Sequence, residues 1–162
     1  MRWLALPDIR EADGKTILET RERTNAGGLA NSAARLLPEG TVALSRTASV
    51  GFTTTFGREM ATSQDFANWV CGPDLSPKFL MRLFMRSRAR LREMASGATH
   101  KTIYMPQLES FMVCVPDCPT QERINGWLDE VEVQVDRART GARAQAEAAD
   151  RLTAAILREA FA

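Results

Sequence analysis

One seam of residues, spaced alternately four and three apart, dominates the end of this 162-residue chain. Ile124, Leu128, Val131, Val135, Ala138, Ala142, Gln145, Ala149, Leu152 and Ile156 keep that rhythm for more than four heptads. An average spacing of 3.5 is the period of a coiled coil, in which the stripe on one helix is covered by another. A lone helix cannot bury such a stripe. The middle of the seam is rich in alanine, which permits close approach, and Gln145 is a polar position able to set register. Gly141 lowers helix propensity there by about 1 kcal/mol. No second long heptad segment exists in the chain. The expected partner is therefore a helix from outside it, the alternative being that the helix packs on its own domain.

The residues ahead of the helix read differently. Trp3–Leu6, Thr16–Leu18, Thr41–Ser45 and Val50–Thr55 are short strand-like runs, separated by Gly14, the Gly27-Gly28 pair and the turn sequence Pro38-Glu39-Gly40. Ser76-Pro77 is a helix start, because serine caps free N–H groups and proline suits the first helical position. Phe79, Leu80, Leu83, Phe84, Leu91 and Met94 then recur at helical spacing, with Gly97 as the expected stop. Leu108–Val115 reads as another strand, Cys114 included, before Pro116 and Pro119. The expectation is an α+β chain with a β-rich domain over residues 1–118 and a long helix over residues 119–162.

The formal net charge is only +1, yet its distribution is uneven. Residues 76–101 carry Lys78, Arg82, Arg86, Arg88, Arg90, Arg92 and Lys101 against a single acid, Glu93. Such a block points to a polyanionic partner. Arg86, Arg88, Arg90 and Arg92 alternate in sequence, about 200° apart on a helix, so they cannot all face one surface. Arg86 and Arg90 are the pair expected to meet phosphates.

Enzymatic motifs are missing. The sequence has no GxxxxGK[ST] loop, no GxSxG elbow, no HExxH helix and no GxGxxG after a strand. No catalytic residue is expected. Cys71, Cys114 and Cys118 lack CxxC spacing and read as reduced thiols; neither a metal site nor a cofactor is expected in this chain. The chain also lacks a long apolar run or a signal-peptide core, which predicts a cytoplasmic protein without a membrane span.

Several stretches together resemble the specificity subunit of type I restriction-modification systems, namely one target-recognition domain with its following helix. Leu36–Ser45 followed by Val50-Gly51 resembles the family's turn and strand, and Thr62-Ser63-Gln64-Asp65-Phe66 its "t-n-Q-x-f" element. Gly97–Ile103 is similar to its "G-S-T-x-K-x-I" turn, with Ala98 in place of the usual serine. Val115–Ile124 resembles its "P-P-L-x-E-Q-x-x-I" lead-in to the helix, with Asp117 and Thr120 departing from it. Leu152, Ala155–Arg158 and Ala160-Phe161 resemble the helix end "L-x-x-A-I-L-x-x-A-F". Members usually carry two such repeats and this chain about one, and Met1–Leu4 aligns with an internal stretch, so an incomplete N-terminal portion is expected.

The resemblance implies a non-catalytic reader of a half-site in double-stranded DNA. Its implied partners are a modification methyltransferase using S-adenosylmethionine, a motor-nuclease subunit using ATP and Mg, and a second specificity half-subunit or second copy docked through the helix. Residues 121–162, fully helical, would span roughly 63 Å, close to two DNA turns of about 34 Å, and could space two half-sites. Arg46, Thr47 and Ser49 are the candidates for base edges, since arginine pairs bidentately with guanine and hydroxyls suit several bases. Thr99, His100 and Lys101 are candidates on the glycine turn. Both loops also read simply as polar connections. The competing functional readings are a coiled-coil assembly module without DNA binding of its own and a minimal nuclease.

Overall fold

The computed structural model describes residues 1–97 and 100–161. It divides into two compact units, Met1–Glu122 and Arg123–Ala162. In chain order the elements are β1 (Arg2–Leu4), α1 (Leu6–Glu11), β2 (Thr16–Ile17), β3 (Glu22–Arg23), α2 (Ala26–Ala30), β4 (Leu36–Leu37) and β5 (Val42–Ser45). Then come β6 (Thr53–Phe56), β7 (Met60–Thr62), β8 (Phe66–Trp69), α3 (Pro77–Arg86), α4 (Arg88–Glu93), α5 (Met105–Glu109) and α6 (Cys118–Ala160). The expected α+β class with a long C-terminal helix is what the chain adopts. Among the described residues no helix is long and apolar enough to cross a membrane.

Two four-stranded sheets organise the first unit, in the orders β3-β1-β7-β4 and β2-β6-β5-β8. Each joins one parallel pair, β1 with β7 and β2 with β6, to antiparallel neighbours. Strand β5 explains how the layers meet. Val42 and Leu44 point into a core with Leu80, Phe84 and Leu91 of α3 and α4, whereas Ala43 joins Leu4, Ile9, Phe56 and Met60 on the other side. A strand covered on both faces reads as a continuous apolar run, and VAL meets that requirement.

Its neighbour β6 is TTTF, entirely buried, so every hydroxyl needs a partner. Thr53 donates to the Ala43 carbonyl at 3.0 Å, Thr54 to the Lys15 carbonyl at 2.6 Å, and Thr55 pairs with Thr16 at 2.8 Å. In the other sheet, Arg2 of the inner strand β1 hydrogen-bonds Glu19, which holds that carboxyl below its ordinary range and raises the guanidinium.

Several local expectations are corrected. The apolar start does not run on as a strand to Leu6; α1 begins there, with Pro7 in its first turn and Asp8 accepting from the Ala5 N–H at 3.1 Å. Gly27-Gly28 lies within α2, capped by the Asn25 side chain, rather than in a turn. The basic helix breaks at Ser87 into α3 and α4 and ends before Gly97. Leu108–Val115 is not a strand: Leu108 belongs to α5, and Met112, Cys114 and Val115 are exposed. Pro106 favours that helix start, and no strand pairs with residues 110–117 among the described residues. Other expectations hold, including the Pro38–Gly40 turn, closed from Thr41 N–H to the Pro38 carbonyl at 3.3 Å, and the Ser76 cap.

Candidate nucleic-acid interface

Two segments far apart in sequence are joined here. Beyond β5, the Thr47 backbone pairs with Thr102, the Ala48 N–H donates to the Lys101 carbonyl at 3.0 Å, and the Ile103 N–H donates to the Arg46 carbonyl at 2.9 Å. Ser96 and Thr102 exchange backbone hydrogen bonds and close the loop that contains His100 and Lys101. The two candidate reading loops therefore form one platform.

Gly97 makes that closure possible. Its φ of +123° suits glycine, and a Cβ there would lie 2.5 Å from the His100 carbonyl oxygen. Opposite it, Ala48 holds φ +58° in the left-handed region, a conformation costly for alanine that needs support from its surroundings.

The support comes largely from arginines. Arg46 Nε donates to the Gln64 carbonyl at 2.9 Å and its Nη1 to the Ile103 carbonyl at 3.2 Å. Arg10, on α1, donates to the Ser49 hydroxyl, from Nε at 2.7 Å and also from Nη2. Arg92 Nε donates to the Val50 carbonyl at 3.2 Å, and Arg88 Nε to the Gly51 carbonyl at 2.9 Å. Arg88 also contacts both Asp13 oxygens at 2.7 Å and, with Arg92 one turn on, lies over the Phe52 ring. Three arginines from two helices thus fix residues 49–51 one by one.

Beside this turn lies a cleft of about 510 Å³, lined by Arg10, Ala48, Ser49, Val50, Phe52, Arg92, Ala95, His100 and Lys101. Among the described residues its lining includes no carboxylate. In a concave site of one sign the charges reinforce one another, which favours an anionic ligand.

Arg46 and Thr47 are half-buried in the platform, while His100 and Lys101 are exposed on it. Ser49 is only 4% exposed, and its hydroxyl holds Arg10 rather than facing outward. Thr99 lies outside the described residues. Arg86 and Arg90 are exposed but do not line the cleft; Arg90 stacks over Phe111 at 4.9 Å. Arg10 and Arg92 take that place instead. The i, i+4 relation of Arg88 and Arg92 was available in the sequence as a signal, whereas nothing local marks Arg10.

No group of His, Cys, Asp and Glu able to hold a metal occurs among the described residues. Burial pushes the Cys71 thiol above its ordinary value. In the second unit, Ile124 and Leu128 are half-buried, and the seam from Val131 through Val135, Ala138, Ala142, Gln145, Ala149, Leu152 and Ile156 is exposed.

Residues 6–147 match the family described as type I restriction modification DNA specificity domain. Among solved structures, the chain is similar to one described as "Structural basis underlying complex assembly and conformational transition of the type I R-M system", with 25% identity and a TM-score of 0.58. That match covers 70% of this chain and 27% of the other. The fold is also that of the HsdS subunit from Thermoanaerobacter tengcongensis, at 20% identity and a TM-score of 0.53, over 62% of this chain and 24% of that one. The chain thus spans about a quarter of the length of these solved relatives. No curated protein matches. With most of its residues matched, this chain belongs to the type I restriction modification DNA specificity domain family.

Proposed function

We propose that the chain is the sequence-reading part of a type I specificity subunit: it selects one DNA half-site and performs no chemistry itself. The observation that carries this reading is the joining of Arg46–Ser49 to the His100–Lys101 loop, beside a cleft lined by cations. Phosphate contacts orient a protein on DNA and base-edge contacts choose the sequence. Lys101 and His100 would make the former. Arg46 and Thr47 would make the latter, Arg46 with the N–H groups left after its two carbonyl contacts. Arg86 and Arg90, exposed on α3 and α4, would add sequence-independent attraction that weakens with salt.

The chemistry would belong to partners in the cytoplasm: a methyltransferase using S-adenosylmethionine and a motor nuclease using ATP and Mg. The exposed seam of α6 would dock on a second specificity helix, from another half-subunit or another copy. Its β-branched and leucine positions supply the burial, and Gln145 the register.

Light scattering tests the assembly. The chain is expected to run at twice its 18.0 kDa mass and to form a stoichiometric complex with a modification methyltransferase from the same genome. Val135→Asp combined with Leu152→Asp should return it to a single-chain mass, because two charges would enter the seam. A parent chain that is monomeric and ignores the methyltransferase would contradict the proposal and favour an unrelated helical partner.

A further inference from the structure

Arg10 reaches the cleft from α1, a helix carrying none of the residues expected at DNA. It is held there by a buried acceptor. Two of its five N–H groups meet the Ser49 hydroxyl, and the other three have no partner among the described residues. Arg92 is held in the same manner, by Nε on the Val50 carbonyl and by the face of Phe52, with its terminal N–H groups left over. Lys101 and His100 close the rim from the hairpin.

Anchoring a guanidinium by one edge while leaving its outer edge available reduces the rotamer freedom lost when a ligand arrives. The planar fork of arginine matches two oxygens of a phosphate.

We infer that this cleft is a built subsite for one phosphate group, with Arg10 and Arg92 as its ligands, Lys101 as a third cation and Ser49 as a positioning residue. On the DNA-reading proposal, on which the owner of the phosphate rests, that owner is a backbone phosphodiester flanking the bases read by Arg46 and Thr47. The Ser49–Arg10 bond then ties the anchor to the same loop as the reader, so phosphate capture sets the register of base contacts.

Two measurements on the full chain with its methyltransferase separate this subsite from the DNA reading. In the first, duplex affinity is followed from 50 to 200 mM salt. Arg10→Gln should lower the slope of log affinity against log salt by about 0.9, so the variant loses roughly 3.5-fold less affinity over that range, while the preferred sequence stays the same. Ser49→Ala keeps the charge and should weaken binding roughly fivefold without the slope change, and Ser49→Thr should restore it. In the second, inorganic phosphate is titrated while the Arg10 Nε–H resonance is observed by NMR; a saturable shift is expected, absent after Arg92→Gln.

A phosphate response without duplex binding would uphold the subsite for a free phosphate compound and sink the DNA reading. Duplex binding with an unchanged slope in Arg10→Gln would overturn the subsite and leave the DNA reading intact. Loss of methyltransferase binding in Arg10→Gln, with no response to phosphate, would also overturn it, since the cleft would then receive a partner's carboxylate.

Discussion

Gln121→Ala is expected to destabilise the Met1–Glu122 unit by roughly 3 kcal/mol. Gln121 is fully buried near the start of α6, and its amide is used from both ends. Oε1 accepts from the Ser76 N–H at 2.8 Å, while Nε2 donates to the Asp74 carbonyl at 2.9 Å and the Pro116 carbonyl at 2.8 Å. One side chain thus ties the lead-in of α3 to the lead-in of α6.

Removing it deprives three backbone groups of these partners and leaves a void. Each lost contact to a buried group costs about 1–3 kcal/mol, and the low end applies because these sites are only partly buried. Gln121→Glu provides a sharper check. The carboxylate keeps the Ser76 contact but faces two carbonyl oxygens without a donor, so it should be less stable at pH 7 than at pH 4, where a protonated carboxyl can donate to one of them. Urea unfolding followed by tryptophan fluorescence reads both. A Gln121→Ala loss below about 0.5 kcal/mol, the range of an ordinary surface substitution, would show that the amide does not hold this junction.

Gly97→Ala should act on recognition rather than on global stability. The added Cβ would meet the His100 carbonyl at 2.5 Å on a backbone whose φ is +123°, so the hairpin must open or shift. Strain of this kind costs about 1–3 kcal/mol. Because Gly97, His100 and Lys101 are exposed, local opening releases that strain without unfolding the core. The midpoint of thermal unfolding should therefore move little.

The consequence falls on the platform, since the Lys101 carbonyl that receives the Ala48 N–H moves with the turn. If binding must re-form the closed hairpin, about 2 kcal/mol of strain becomes roughly a 30-fold loss in DNA affinity. Equal affinity in parent and variant would mean that the hairpin does not contact DNA in its closed form.

The parts of the fold legible in the sequence are those set by local or periodic chemistry. Helix α6 announces itself through its seam, α3 through Ser76-Pro77, and β5 through an apolar run after a proline-glycine turn. What escaped depends on distant partners. The break at Ser87 carries neither glycine nor proline; it is supported by Arg88 folding back on Asp13 and Gly51, 75 and 37 residues away in sequence. The apolar run from Phe111 to Val115 has strand-like composition, but strand propensity is expressed only where a neighbouring edge receives it.

The candidate site divides in the same way. His100, Lys101, Arg46 and Thr47 were legible as polar residues on turns, and the structure brings those turns together. Ser49 reads as a reader because a hydroxyl on a loop looks available, yet it is consumed by Arg10. The basic block reads as a surface for an anion, whereas Arg88 is largely internal scaffolding. Charge counts point toward an anionic partner but do not say which arginines remain available to one.

The central claim, that this platform reads DNA sequence, is tested most directly by selecting bound duplexes from a random pool with the chain and the proposed methyltransferase partner, at about 50 mM salt. The account predicts enrichment of one short half-site with fixed bases, altered at particular positions by Arg46→Ala and lost in the Gly97→Ala variant. Recovery of the pool unchanged, or of no DNA at all, would contradict it.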